Sequence, residues 1–199
     1  MNYYDLGTYS RPVTTSSDAA QKWFDRGLIW TYAYHHEEAI ACFNNALKED
    51  ETCAMAHWGI AYAIGPNYNK PWEAFEDDEK PDALKQAQDA IAAAAALKDK
   101  VSTWERALIE ALPHRYPKDA SVDAYAPWKD AYANAMREVH EAHADDLDVC
   151  CLFAEAIMNR TPWQLWDLPS GQPAEGADTL EAISVLEDAF DKLDGAWSH

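Results

Sequence analysis

TYAYHHEEAIACFNNALKED, residues 31–50, decides how the rest of the chain is read. Two histidines stand beside two glutamates, with Cys42 close behind, so the stretch reads either as a metal site or as the junction between two helices. The spacing of the surrounding residues favours the junction. Residues 18–34 carry Trp23, Gly27, Trp30 and Tyr34 on one helical stripe, with Ser17 or Asp18 available as a cap. Residues 36–48 turn Ala39, Cys42, Phe43, Ala46 and Leu47 to one side. Only a short turn fits between them, which makes the pair an antiparallel hairpin. His35 and His36 then sit at the hand-over. Adjacent side chains on a helix diverge and chelate poorly. Glu37 and Glu38 fall in the first turn of the second helix, where the helix dipole stabilises a carboxylate.

Small residues at 27 and 39 allow two helices to cross closely, and Trp23, Trp30 and Phe43 fill the space around the crossing. The set Trp23, Gly27, Trp30, Ala39, Phe43 and Ala46 resembles a tetratricopeptide repeat at matching spacings. Trp30 stands where that repeat usually has Tyr, and Glu51 where it has its closing Pro. The resemblance implies an all-α fold, a right-handed superhelix of about four such hairpins. The helical period continues through residues 52–65, 82–98, 101–112, 125–143, 146–159 and 179–193. The expected organisation is an extended segment over 1–17, then repeats over about 18–50, 51–99, 100–144 and 145–194. The run from His35 to Trp72 is also similar to a group of bacterial and fungal tetratricopeptide-repeat proteins, most of them uncharacterised. Members of that group are longer and continue past a sequence like GAWSH into helices with more histidines. This resemblance implies that the chain is an N-terminal portion, completed by further helices or by self-association.

The 199 residues are 48% apolar, enough for a sizeable core and too apolar for a disordered chain. Against 35 acidic residues stand 16 basic ones, a formal net charge of −19. That field repels phosphate backbones and anionic lipid surfaces and favours a neutral or basic partner. No run approaches the roughly 20 apolar residues of a membrane span. The N-terminus lacks the basic start and apolar stretch of a secretory signal. No C-x-x-C occurs among Cys42, Cys53, Cys150 and Cys151, so reduced thiols in a cytoplasmic protein are expected.

Phosphate-cradling and nucleophile motifs are absent, and carboxylate pairs arise by chance in so acidic a chain. No cofactor is expected. His140 and His143 share a helix end, where histidines favour the carbonyl-rich terminus. His35, His36, Cys53 and His57 are the metal-ligand candidates, and they belong to an alternative reading as part of a metal-dependent enzyme or a small-ligand-binding protein. A four-ligand set does not emerge from them. A receptor for acidic peptide tails is also disfavoured, because the second hairpin's first helix has no basic residue. More informative are two insertions, residues 65–81 and 160–178, each with a Pro-Trp pair just after an Asn. Long loops in a repeat array commonly map to its binding face. Trp58, Tyr62, Asn67, Tyr68, Asn69, Trp72 and Trp163 are therefore the expected ligand-binding residues. They would form an aromatic groove with amide donors and acceptors, holding a peptide or protein and marking a scaffold rather than an enzyme.

Overall fold

Ser17 opens the first helix by accepting a hydrogen bond from the Ala20 N–H at 3.2 Å. The computed structural model describes residues 3–117 and 125–192. Within them lie eight α-helices: α1 (Asp18–Tyr32), α2 (His36–Glu49), α3 (Ala54–Ile64), α4 (Glu79–Leu97), α5 (Thr103–Ala111), α6 (Ala126–Ala142), α7 (Leu147–Met158) and α8 (Thr179–Lys192). Among the described residues the fold is all-α apart from one two-stranded ribbon, β1 (Trp166–Asp167) and β2 (Gln172–Pro173). Each expected helical segment is present, with ends shifted by a few residues. Residues 193–194 of the expected array and the 195–199 tail lie outside the described residues. No described helix is long and apolar enough to cross a membrane.

The chain divides into two compact units, Met1–Gly65 with Asp77–Tyr116, and Pro66–Glu76 with Pro117–His199. In the first, consecutive helices α1 to α5 pack on one another and α3 also meets α1 and α5. This explains why α3 is apolar nearly all round, burying Met55, Ala56, Trp58, Gly59 and Tyr62 among others. In the second unit α7 packs against both α6 and α8. The helices of the expected third hairpin, α5 and α6, fall in different units.

The centre of the first unit is the Phe43 ring, fully buried on α2. A β-carbon added at Gly27 on α1 would lie 2.5 Å from that ring, and one at Gly59 on α3 would lie 2.6 Å from it. The ring thus fills a slot that exists because both neighbours lack a side chain. Phe24 closes the slot, its centroid 5.6 Å from that of Phe43. Ala39, Cys42 and Ala46 extend the close contact along α2, all buried.

The N-terminal segment contains no helix or strand among its described residues, yet several of its backbone N–H groups are bound. Val13 N–H donates to Gln21 at 2.9 Å and Arg11 N–H to Asp25 at 3.0 Å. Thr14 donates through its N–H and its hydroxyl, at 2.7 and 2.6 Å, to Glu105 on α5. Ser102 donates likewise to the same carboxylate, at 2.8 and 2.7 Å, completing a capping box. Four donors satisfy a carboxylate only 1% exposed, which offsets the cost of burying it. Farther out, Tyr3 donates to Glu38 at 2.6 Å and accepts from the Trp30 indole at 2.7 Å.

Because the slot leaves no room, Gly27→Ala is expected to lower unfolding free energy by about 1–3 kcal/mol in urea denaturation. Adding Phe43→Leu should recover part of that loss. A double-mutant coupling below about 0.5 kcal/mol would show that the two positions do not share one space.

Candidate functional site

Thr161-Pro162-Trp163-Gln164 forms a tight turn closed by the Gln164 N–H donating to the Thr161 carbonyl at 3.0 Å. Proline stands at the second position and Trp163 at the third with φ +60°. This is the type II pattern, which ordinarily places Gly or Asn there. A tryptophan in left-handed backbone costs about 1–2 kcal/mol. Its indole is nevertheless 62% exposed, so burial of the ring does not repay the strain. What holds it is the Trp163 N–H, which donates to the Tyr68 hydroxyl at 3.0 Å. The two rings meet nearly perpendicular, at 76° with centroids 6.4 Å apart.

Tyr68 is positioned by its own tight turn. The Asn67 side-chain oxygen accepts from the Asn69 N–H at 2.9 Å and the Lys70 N–H at 3.0 Å, while Asn67 and Lys70 exchange backbone bonds. Trp72 is buried against Phe75 with centroids 4.9 Å apart and anchors the insertion. Lys129 on α6 ties down Glu73 at 2.7 Å.

Beyond Trp163 the chain forms the β1–β2 ribbon, with Trp166 opposite Pro173 and Asp167 opposite Gln172. Thr179, at the start of α8, donates its hydroxyl to the Leu165 carbonyl at 2.5 Å, and the Ala174 N–H donates to that carbonyl at 3.1 Å. Tyr68, Trp163 and the ribbon enclose an open cleft of about 800 Å³. Trp166, 43% exposed, adds a third large ring to its lining, and Asp167 and Glu175 add the only charged groups among the described residues.

The expected ligand-binding residues therefore separate. Tyr68 and Trp163 meet at the cleft. Asn67 and Asn69 build the turn beneath Tyr68, and Trp72 is interior. Trp58 and Tyr62 belong to the first unit, stacked at 5.0 Å and only 1% and 4% exposed. Arg115, itself buried, lies over the Tyr62 ring at 4.4 Å. The Trp58 indole nitrogen is buried with no hydrogen-bond partner among the described residues. This pair packs the interior and offers a ligand almost no surface. Asp167 and Glu175 escaped sequence reading, because nothing separates two cleft-lining carboxylates from 35 acidic residues.

Each metal-ligand candidate has a local structural partner. His35 caps α2, accepting from the Glu38 N–H at 3.4 Å, and His36 stacks on Tyr34 at 6.0 Å. The His57 Nε2 lies 3.3 Å from the Glu51 carbonyl oxygen. Burial pushes the Cys53 thiol up to about 11, which disfavours the thiolate a metal would need. Among the described residues no three His, Cys, Asp or Glu side chains converge. Compared with protein-family models, with curated proteins and with solved structures, the chain matches none.

Trp163→Gly should remove strain at the cost of Gly's chain entropy, leaving stability unchanged or raised by up to about 1 kcal/mol in urea denaturation. A loss above about 1.5 kcal/mol would mean that the indole is structural. A second prediction concerns pH. Desolvation holds the His57 and His140 imidazoles below their usual 6.5. Between 6.5 and those lower native values the unfolded chain binds more protons than the folded one, so stability falls as pH falls. Denaturation at about pH 7.5 and 5.5 should show this drop, and His57→Gln with His140→Gln should flatten it.

Proposed function

We propose that the chain is a helical-repeat scaffold of the tetratricopeptide type that binds a peptide or protein through the aromatic cleft around Trp163. The right-handed superhelix implied by the sequence, and a cytoplasmic setting that keeps the four free thiols reduced, belong to this reading. Support for the repeat comes from the first unit. There Gly27, Ala39, Phe43 and Ala46 sit at a close helix crossing, and each helix packs on its sequence neighbour.

The observation that carries the binding reading is the exposed Trp163 in strained backbone. Such strain persists where surrounding structure over-determines it, and it clusters at binding sites. A solvent-facing indole beside Tyr68 and Trp166 is the residue type that anchors protein interfaces. A cleft of about 800 Å³ exceeds one side chain and suits a short peptide segment. The excess of acidic residues points to a neutral or basic partner.

Selection of random linear peptides on the full chain, followed by calorimetric titration, tests this. Selected peptides should lose at least about tenfold in affinity with Trp163→Ala, a change of about 1.4 kcal/mol. The surface variant Lys85→Ala, which alters an exposed i,i+4 pair with Asp89 in the first unit, should leave binding intact. Peptides that bind wild type and Trp163→Ala equally would place recognition elsewhere.

A further inference from the structure

Among the described residues that line the cleft there is no lysine, arginine or histidine. Its two carboxylates have no counter-charge among the described residues of the second unit. Every described lysine and arginine there is engaged elsewhere. Lys129 holds Glu73 at 2.7 Å, and Arg137 holds Glu181 at 2.8 Å. Arg160 holds Asp130 at 2.7 Å and also pairs with Asp178, while Lys192 holds Asp145 at 3.1 Å. Lys70 lies over the Phe75 ring at 4.4 Å.

Asp167 is held in place with one oxygen to spare. Ser170 donates its N–H, at 3.2 Å, and its hydroxyl to the same atom, Oδ2. Oδ1 accepts no hydrogen bond from any described residue. Glu175 makes no hydrogen bond or ion pair among the described residues. Beside these acids stand the Tyr68 and Trp163 rings, crossed at 76°. Ring faces attract cations through their quadrupole, and Trp does so most strongly. The two rings stand edge to face at nearly a right angle on the open cleft, and the Trp163 backbone bond to Tyr68 holds that arrangement before any ligand arrives.

We infer that this cleft recognises an organic cation on an aliphatic stem, presented by the partner as an arginine or lysine side chain. The inference rests on the peptide-binding reading above. The rings take the stem and the face of the cation, and Asp167 Oδ1 and Glu175 supply the acceptors. An anionic side chain is disfavoured, because two carboxylates and no cationic side chain line the cleft among the described residues.

The test is calorimetric titration of the full chain with four heptapeptides, capped at both ends and differing only at the central residue: arginine, lysine, norleucine or glutamate. The arginine and lysine peptides should bind at least about tenfold tighter than the norleucine peptide, and the glutamate peptide should not bind. Raising salt from about 0.05 to 0.5 M should weaken only the cationic peptides. Asp167→Asn and Glu175→Gln should each cut arginine-peptide affinity by about threefold to tenfold while sparing the norleucine peptide. Glu141→Gln removes the same charge from an exposed position on α6 and should do neither. Norleucine binding equal to arginine, with both lost in Trp163→Ala, would overturn the cation inference and leave the peptide reading standing. Arginine binding indifferent to Trp163 and Asp167 would reduce the effect to bulk attraction by an acidic surface and overturn the inference. Failure of all four peptides would overturn both.

Discussion

The Phe43 ring stands where two glycines leave room for it. Gly27 on α1 and Gly59 on α3 each face the ring so closely that a methyl group at either position would overlap it. Three helices are thereby drawn onto one side chain. Burying a phenylalanine contributes about 1.5–3 kcal/mol by area alone. The larger effect is geometric: the ring sets how near α1 and α3 can come to α2, and hence where Ala39, Cys42 and Ala46 find their contacts. The N-terminal segment then depends on that placement. Thr15 reaches Asp50 at the end of α2, at 2.5 Å, and Thr14 reaches the buried Glu105 on α5. These polar anchors need their acceptors in fixed positions, which the packing of the helices provides.

In the second unit the same requirement for rigidity is met differently. The segment between α7 and α8 is too long to be held by helix packing, so hydrogen bonds and ions hold it. Arg160 links Asp130 on α6 to Asp178 just before α8. Partly exposed pairs of this kind add little to stability, but a guanidinium with two fixed carboxylates specifies direction well. Thr179, only 3% exposed, fixes the Leu165 carbonyl from the other side. Between these anchors the backbone accepts a left-handed tryptophan.

The helices were legible because their signals are periodic and local. Ser17, the glycine and alanine spacings, and the paucity of β-branched runs placed α1 and α2 within a residue or two of their observed ends. Gly27 and Phe43 could be read as partners from spacing, but Gly59 could not be assigned to the same ring, since that contact depends on how a third helix docks. The junction reading of His35 was equally local, and its role as a cap to α2 follows from its place one residue before the helix. Tyr68 and Trp163, by contrast, are 95 residues apart and meet through a backbone N–H, which no pattern in the chain encodes. Trp58 and Tyr62 carry the same residue types as the cleft, yet lie inside. Aromatic identity alone does not separate a packing ring from a binding ring, because both uses reward the same large apolar face.

That division has a consequence for what selection can change. The rings and acids of the cleft lie on insertions, whereas the residues that set helix contacts lie on α1 to α3. Substitution at Trp166, Asp167 or Glu175 touches no helix crossing, since these side chains face solvent around the ribbon. The exception is Trp163, whose backbone carries the only described non-glycine residue besides Tyr34 with positive φ. At that position glycine would be easier for the turn but would remove the exposed ring. Stability alone would favour the small residue there. On the proposed binding reading, the exposed indole is stability given up for a surface, and the ring to which its backbone is bound, Tyr68, is where that surface begins.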